Sequence, residues 1–357
     1  MANGMLRLGN NGKVTKGPFS PSYFSRNQSP VKWVPNAQCR KFKSAIQSVL
    51  SPDDVHTLKL YFGQCLLGKN LTHTMLLMRG PAGLMKSTVL QILTLLLGTD
   101  NIQTLRTDHL DGRFELDRFV GKQLLLAPDV NADFLAKKSA GMLKRLTGGD
   151  RMDTERKGSN DGRAITGDFN VCITSNAHMA IRIDGDRDAY ERRLLMLEFR
   201  GQKPKRIVRD FAAKIVDEEG PGILSWAVEG AVELLREINK TGHFPRSIAQ
   251  HARVKDMLDR SDSVATFATH CVRHANHANA TTEELHLAYD EFCGSMGWSS
   301  VDRKEFDAKF DAAMAARPGI PRTNGLQRNG KRASGYRNVH VLPPVQPSVG
   351  PTKEEAS

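Results

Sequence analysis

Residues 74–88 read Thr-Met-Leu-Leu-Met-Arg-Gly-Pro-Ala-Gly-Leu-Met-Lys-Ser-Thr. The segment begins with an apolar run at 74–78, which is typical of a parallel strand that is buried on both faces. A loop with two glycines follows, and apolar residues then recur at helical spacing over 89–97 until Gly98. A buried strand, a glycine-containing loop and a helix in this order expose backbone N–H groups beside a helix N-terminus. An anion can bind there.

The loop has the spacing Gly-x5-Lys-Ser/Thr of a relaxed phosphate-binding loop. In such a loop Lys86 reaches the β- and γ-phosphates of ATP, and the hydroxyl of Ser87 is a ligand of Mg²⁺. Met85 stands where the pattern usually has glycine. An ordinary strand–turn–helix with a solvated lysine is the alternative. The predicted nucleotide-binding residues are Gly80, Pro81, Ala82, Gly83, Leu84, Met85, Lys86, Ser87 and Thr88.

Two later apolar runs end in polar residues, the first at Asp129 and the second at Asn176. From this position Asp129 would contact Mg²⁺ or its water, and Asn176 would orient the attacking water. Arg192 and Arg193 precede a further apolar run, and an arginine placed against a neighbour's γ-phosphate stabilises the developing charge. Turn residues and solvated arginines are also common at such positions. The interpretation therefore depends on the order of these residues.

Apolar runs alternate with helical segments through the middle of the chain, which predicts an α/β core over about 70–200. The predicted strands lie at 74–78, 123–127, 169–174 and 194–199. A helical stretch over 40–67, with a break near Pro52, precedes this core. Apolar residues at helical spacing predict two more helices after it, at 207–216 and 223–238.

The C-terminal part follows a different pattern. Apolar spacing from 262 onward predicts three helices, the second opened by a capping box of Thr281 and Glu284. A basic segment at 324–335 and a predicted strand at 336–342 follow, and three helices with a basic hairpin are the outline of a winged helix. If this part binds duplex DNA, the phosphates would be contacted by Arg303, Lys304, Arg328, Lys331 and Arg332.

The formal net charge of +12 is concentrated in two segments. Residues 1–45 contain eight basic side chains and residues 322–337 contain five, and neither segment contains an acid. Such segments are typical of a nucleic-acid partner. For the first of them, a solubilising tail is an equal alternative.

Composition excludes several classes of protein. A chain of 357 residues with 39% hydrophobic residues has enough apolar surface for two or three folded domains. No apolar run approaches the roughly 20 residues that span a bilayer, and no secretory signal is visible, so no membrane partner is expected. Five cysteines without a CxxC pair suit a reducing compartment, which predicts the cytoplasm of a host cell.

The order of the loop lysine, the strand-ending acid, the strand-ending asparagine and the arginine pair resembles the ATPase motifs of superfamily 3 helicases. Residues 143–152, Leu-Lys-Arg-Leu-Thr-Gly-Gly-Asp-Arg-Met, sharpen this resemblance. They resemble the segment between the acidic motif and the asparagine in phage, plasmid and poxvirus-type primase–helicases. Residues 222–230 resemble the helical segment after that ATPase core. The resemblance extends over about 40–342.

The resemblance implies an AAA+-like P-loop ATPase that assembles as a homo-hexameric ring, hydrolyses ATP between subunits and translocates on single-stranded DNA. It makes Asp129 the Walker B acid and Asn176 the sensor. It makes Arg192 or Arg193 the finger that reaches the adjacent subunit. The segment after residue 150 falls where the family places a DNA-gripping pore hairpin, which implies DNA contacts for Arg151, Arg156 and Lys157.

The implied activity is that of an ATP-dependent DNA helicase that acts in the replication of a phage, plasmid or other mobile element. Its partners would be single-stranded DNA, duplex origin DNA and a separate primase or polymerase, because nothing upstream is long enough for a primase domain. Met85, and an aspartate at 129 where many relatives carry glutamate, depart from the family pattern. The alternative is an ATP-binding DNA initiator or loader with weak or no hydrolysis. The segment at 143–152 argues against a packaging ATPase.

These observations predict six consecutive parts of the chain. They are a basic flexible N-terminal arm (1–39), a helical segment (40–72), a superfamily 3 helicase ATPase core (73–200), a helical extension (201–260), a winged-helix DNA-binding domain (261–342) and a disordered tail (343–357).

Overall fold

The computed structural model describes residues 1–9, 12–23, 27–156, 163–181, 187–203 and 208–343. The chain divides into two compact units, Met1–Met257 and Leu258–Ser357. Lys157 and almost all of the predicted C-terminal tail lie outside the described residues.

The first unit begins with two short strands and two helices. Ser51 caps the second helix by accepting a hydrogen bond from the Asp54 N–H at 3.2 Å, and Pro52 occupies its first turn, where no N–H is needed. This confirms the predicted break near Pro52. The elements are β1 (Met5–Leu8), β2 (Val14–Gly17), α1 (Arg40–Gln47) and α2 (Pro52–Leu67).

A mixed α/β segment follows and contains most of the remaining strands. Its elements are β3 (Met75–Arg79), α3 (Lys86–Leu97), β4 (Ile102–Thr104), β5 (Leu124–Ala127), α4 (Gly141–Thr147), β6 (Arg151–Thr154), β7 (Arg163–Thr166), β8 (Asn170–Ser175), α5 (Arg187–Arg193), β9 (Leu194–Glu198), α6 (Phe211–Thr241) and α7 (Ile248–Ser261). The four predicted strands are confirmed as β3, β5, β8 and β9. The three residues of β4 are too few to give a recognisable apolar run.

Five strands form a parallel sheet in the order β4-β5-β8-β3-β9. β3 lies inside the sheet, with β8 on one side and β9 on the other, and all of its residues are buried. Met75 at its start lies opposite Leu194, and Arg79 at its end lies opposite Glu198. The carboxyl ends of the parallel strands therefore lie together along one edge of the sheet, the carboxyl edge, where the loop after β3 begins. Their amino ends lie along the opposite edge, the amino edge, where β9 begins.

The described part of 1–39 differs from the flexible arm that composition predicts. β1 and β2 form an antiparallel hairpin. Asn3 exchanges two hydrogen bonds of 2.9 Å with the backbone of Trp33, and the hydroxyl of Ser29 donates to the carbonyl of Leu96 at 2.5 Å. The few apolar side chains among the prolines of this segment pack against the helical core, and this burial holds the segment in place.

Helix α6 is one helix of 31 residues, whereas the sequence predicts two. Pro221 lies inside it and removes one backbone donor. Packing keeps the helix continuous. A Cβ on Gly222 would lie 2.1 Å from the carbonyl oxygen of Gln38, and the Trp226 ring meets the Phe42 ring edge-on at 5.2 Å. Burial on both sides of the proline therefore overrides the local preference for a break.

The second unit consists of three helices and a three-stranded antiparallel sheet in the order β10-β12-β11. Its elements are α8 (Ser263–Cys271), β10 (Val272–Thr281), α9 (Thr282–Ser295), α10 (Arg303–Ala315), β11 (Arg322–Arg328) and β12 (Lys331–Val341). The predicted helices, capping box and hairpin are confirmed. β10 is missed because its sequence, VRHANHANAT, is mostly polar.

Within the described ranges, no helix has the length and apolar composition that a bilayer crossing needs.

Helices α2 and α6 approach so closely that no side chain fits at Gly63. A Cβ there would lie 2.2 Å from the backbone nitrogen of Ala231. We expect Gly63→Ala to lower the free energy of unfolding by about 1–3 kcal/mol, because the helices must separate. Gly141→Ala is the control, since nothing lies within 4 Å of its added Cβ. Chemical denaturation measures both variants, and equal stabilities would contradict the close approach.

Candidate functional site

The loop between β3 and α3 depends on two glycines and a strained methionine. A Cβ on Gly80 would lie 2.3 Å from the carbonyl oxygen of Phe199, so only glycine fits there. Gly83 has a φ of 84°, and Met85 has a φ of 66°. A left-handed conformation costs a non-glycine residue about 1–2 kcal/mol. The side chain of Met85 packs against the core cluster of the first unit, and this burial offsets the strain.

Lys86 is folded back into the loop. Its ammonium donates to the carbonyls of Gly80 at 2.5 Å and Pro81 at 2.9 Å, and only 6% of the residue is exposed. Burial lowers the pKa of Lys86, and the negative charge of Asp129 partly opposes this shift. Lys86 is buried and hydrogen-bonded to two loop carbonyls, so it is not a solvated lysine.

Part of the loop is exposed to solvent. Pro81, Ala82 and Gly83 are exposed, and so is Ser87 in the first turn of α3. An anion that approaches the N-terminus of α3 would therefore meet exposed backbone on both sides of Met85.

Asp129 and Asn176 meet at the same carboxyl edge of the sheet. The amide of Asn176 donates to Oδ1 of Asp129, and both residues are exposed. Thr174 fixes the backbone of this pair, because its hydroxyl accepts from the Asp129 N–H at 2.7 Å. The exposed carboxylate of Asp129 and the exposed hydroxyl of Ser87 are oxygen ligands of the kind that Mg²⁺ prefers. Asp129 and Ser87 are therefore the residues that could hold it.

Arg192 and Arg193 lie at the opposite, amino edge of the sheet. They immediately precede β9, whose first residue pairs with the first residue of β3. The five residues of β3 rise about 13 Å from end to end. The structure therefore does not bring the arginine pair to the loop of its own chain.

The segment at 143–152 ends α4 and begins the β6–β7 hairpin. A Cβ on Gly148 would lie 2.6 Å from the carbonyl oxygen of Lys144, and Gly149 has a φ of 85°, which favours glycine. Both glycines are thus needed for the sharp exit from the helix. Arg151 and Arg156 project exposed side chains from this hairpin, as the pore-hairpin prediction requires.

Sequence reasoning missed a buried ion-pair network behind the loop. Arg79, the last residue of β3, donates to Oε1 of Glu198 at 2.9 Å and lies 2.7 Å from Nδ1 of His178. Burial raises the pKa of Glu198, but hydrogen bonds from Arg200 and Arg79 outweigh it and hold the pKa below its ordinary value. The sequence signal that could have revealed this network is Arg79, a charged residue that ends an apolar strand directly before Gly80. The network ties β3 to β9 and to the chain that follows Asn176.

Two of the predicted DNA contacts in the second unit already have carboxylate partners. Arg303 donates to both carboxylate oxygens of Asp307 at 3.0 Å. Arg328 donates to Oε1 of Glu284 at 2.7 Å and to Oδ1 of Asn279 at 2.7 Å. Within the described residues, three predicted contacts are exposed and have no carboxylate partner: Lys304, Lys331 and Arg332.

Comparisons with known proteins give a family match over part of the chain. Residues 78–193, which span the loop, Asp129, Asn176 and the arginine pair, match a family described as a family of unknown function (DUF5906). No curated protein matches.

Among solved structures, the chain is similar to the C-terminal region of NrS-1. The apo structure of region 305–718 is 14% identical, with a TM-score of 0.49 over 86% of this chain and 77% of that one. Two A form apo structures are 12% and 14% identical, with TM-scores of 0.49 and 0.48. They cover 87% and 92% of this chain and 77% and 80% of the other. A likeness at this level does not establish a shared fold.

Proposed function

We propose that this protein is an ATP-dependent DNA helicase that acts in replication of a phage, plasmid or other mobile element. The observation that carries the proposal is the convergence of Lys86, Asp129 and Asn176 at one edge of a parallel sheet. Ligands of open α/β sheets bind at the carboxyl ends of the strands. The loop before α3 adds the backbone donors that a phosphate chain needs.

The residues at this edge fit ATP and Mg²⁺. The loop offers exposed backbone, Lys86 offers a positive charge, and Ser87 and Asp129 offer oxygen ligands. Bound Mg²⁺ supplies neutralisation of the phosphate charge during phosphoryl transfer. Asn176, whose amide already donates to Asp129, would orient a water molecule toward the phosphate. These assignments belong to the proposal.

The position of the arginine pair supports hydrolysis between copies of the chain. Arg192 and Arg193 begin about 13 Å from the loop of their own chain, along the full length of β3. If ATP binds in the loop at Lys86, an arginine there can stabilise its phosphates only when another copy holds the nucleotide. A closed ring satisfies this requirement for every subunit, and we propose a homo-hexamer.

Nucleic-acid contacts are assigned to two places. The exposed Arg151 and Arg156 of the β6–β7 hairpin would track the phosphates of single-stranded DNA. The helix–strand–helix–helix–hairpin order of the second unit supports a winged helix that binds duplex DNA. Because Arg303 and Arg328 are partnered, the proposed phosphate contacts are Lys304 in the third helix and Lys331 and Arg332 in the hairpin.

The purified protein should hydrolyse ATP and be stimulated by single-stranded DNA. Lys86→Ala should reduce turnover by about 100-fold or more, because one fixed charge against the transferred phosphate is lost. Lys240→Ala, which removes an exposed lysine at the end of α6, is the control. A Lys86→Ala protein as active as the control would refute the proposal.

Mixing variants tests the arrangement between copies. In a mixture, Lys86→Ala subunits supply intact arginines to the intact loops of Arg193→Ala subunits. We expect the mixture to hydrolyse ATP when neither variant does so alone. If no ratio restores activity, the arginine pair does not act on a neighbour's nucleotide.

The second candidate function is an ATP-binding DNA initiator or loader with weak hydrolysis. The observation that favours it is the left-handed backbone of Met85, at the position where the usual loop pattern has glycine. Met85→Gly removes both the strain and the side chain. Turnover that rises several-fold in this variant would support the initiator, whereas unchanged or reduced turnover would support the helicase.

Salt dependence tests the second unit. Neutralising Lys331 and Arg332 together should flatten the slope of log K against log salt for duplex DNA by about 1.8, since each phosphate contact contributes about 0.9. Lys309→Gln is the control, because Lys309 pairs with Glu305 at 2.7 Å. Fluorescence anisotropy measures the slope, and an unchanged slope would assign this unit to protein contacts.

A further inference from the structure

A cavity of about 580 Å³ opens at the amino edge of the sheet, away from the loop at Lys86. We call it the amino-edge pocket. Its charged and titratable lining consists of His73, Arg192, Arg193, His243, Arg246 and His251. No carboxylate lines it among the described residues. The three arginines around one cavity form a concentrated positive site. The three imidazoles add hydrogen-bonding nitrogens.

The guanidinium of Arg246 is half-buried and has no hydrogen-bonded carboxylate. It donates to the backbone carbonyls of Glu191 and Arg192 at the end of α5. Burial lowers the pKa of Arg246, and the charge of Glu191 partly opposes this shift. Two carbonyls satisfy some of its donors but leave its charge without a hydrogen-bonded counterion.

Arg193 retains donor capacity in the same place. Its Nη1 donates to the carbonyl of Ala189 at 3.2 Å. Its Nε is buried and has no hydrogen-bond acceptor among the described residues. A buried donor without an acceptor is unfavourable, so the guanidinium of Arg193 is incompletely paired beside the pocket that this residue lines.

The backbone beside the pocket is strained. His73 has a φ of 57°, a conformation that non-glycine residues rarely adopt. Strained residues of this kind are maintained at functional sites by their surroundings. Here the strain places an imidazole beside the arginine pair, in the loop that precedes β3.

We propose that the amino-edge pocket is a second phosphate-binding site, separate from the loop at Lys86, and that Arg246 and the three histidines complete it around the arginine pair. Arginine donors match phosphate oxygens in pairs, and several around one cavity suit a doubly charged terminal phosphate. A half-open cavity of this size holds a short phosphate chain, whereas a DNA backbone needs an extended groove. The phosphate can be free, or it can terminate a nucleotide that a second copy holds. A nucleotide held by a second copy rests on the proposed function, whereas the phosphate site itself does not.

Calorimetric titration of the Lys86→Ala protein with tripolyphosphate tests the pocket, because this variant lacks the loop lysine. We expect one site per chain and about tenfold weaker binding when Arg246→Gln or Arg192→Gln is added. Arg192 is exposed, so its variant tests the pocket even if Arg246→Gln unfolds the protein. Arg209→Gln, an equal change of charge at an exposed position outside the pocket, is the control.

Binding that is absent, or that the Arg192 and control variants weaken equally, would overturn the proposal. Ultracentrifugation of the wild type with a non-hydrolysable ATP analogue then separates the two sources. Assembly that is lost in Arg192→Gln assigns the phosphate to a neighbour's nucleotide, and assembly that is retained assigns it to free phosphate. These measurements need no hydrolysis. A protein that binds tripolyphosphate here but hydrolyses no ATP would contradict the proposed function alone.

Discussion

The residue-for-residue pairing of β3 with β8 and β9 separates the loop at Lys86 from the arginine pair. Because the pairing is parallel, the chain must leave β3 at one edge and enter β9 at the other. The loop with Lys86 therefore lies at the carboxyl edge, and Arg193 lies at the amino edge. A slip of one residue would turn the buried faces of these strands over. The distribution of charge between the edges is thus fixed by backbone hydrogen bonds.

The second determinant of the site is close backbone approach. Gly80 lies against the carbonyl of Phe199 where no Cβ fits, and the ion pair of Arg79 with Glu198 joins the same two strand ends. Together they fix the direction in which the loop leaves the sheet. Met85 then completes the turn in a conformation that glycine adopts more readily. Burial of its side chain is what makes the departure from the usual loop pattern tolerable.

Local patterns predicted much of this structure. The apolar runs gave the four longest strands of the parallel sheet, and the spacing of Thr281 and Glu284 gave the start of α9. What the patterns could not give depends on tertiary contacts. The continuity of α6 past Pro221 and the packing of the N-terminal segment depend on distant partners. The pairing of Asp129 with Asn176 follows from the order of strands, which the sequence does not encode locally.

The fold-back of Lys86 has an energetic consequence for any anion that enters the loop. Its ammonium already holds two acceptors, the carbonyls of Gly80 and Pro81. An ammonium has three donors, so an incoming phosphate can accept the third directly and competes with the carbonyls for the other two. Each carbonyl that it replaces contributes only the difference between two hydrogen bonds. This competition limits how tightly a phosphate is held and favours its release.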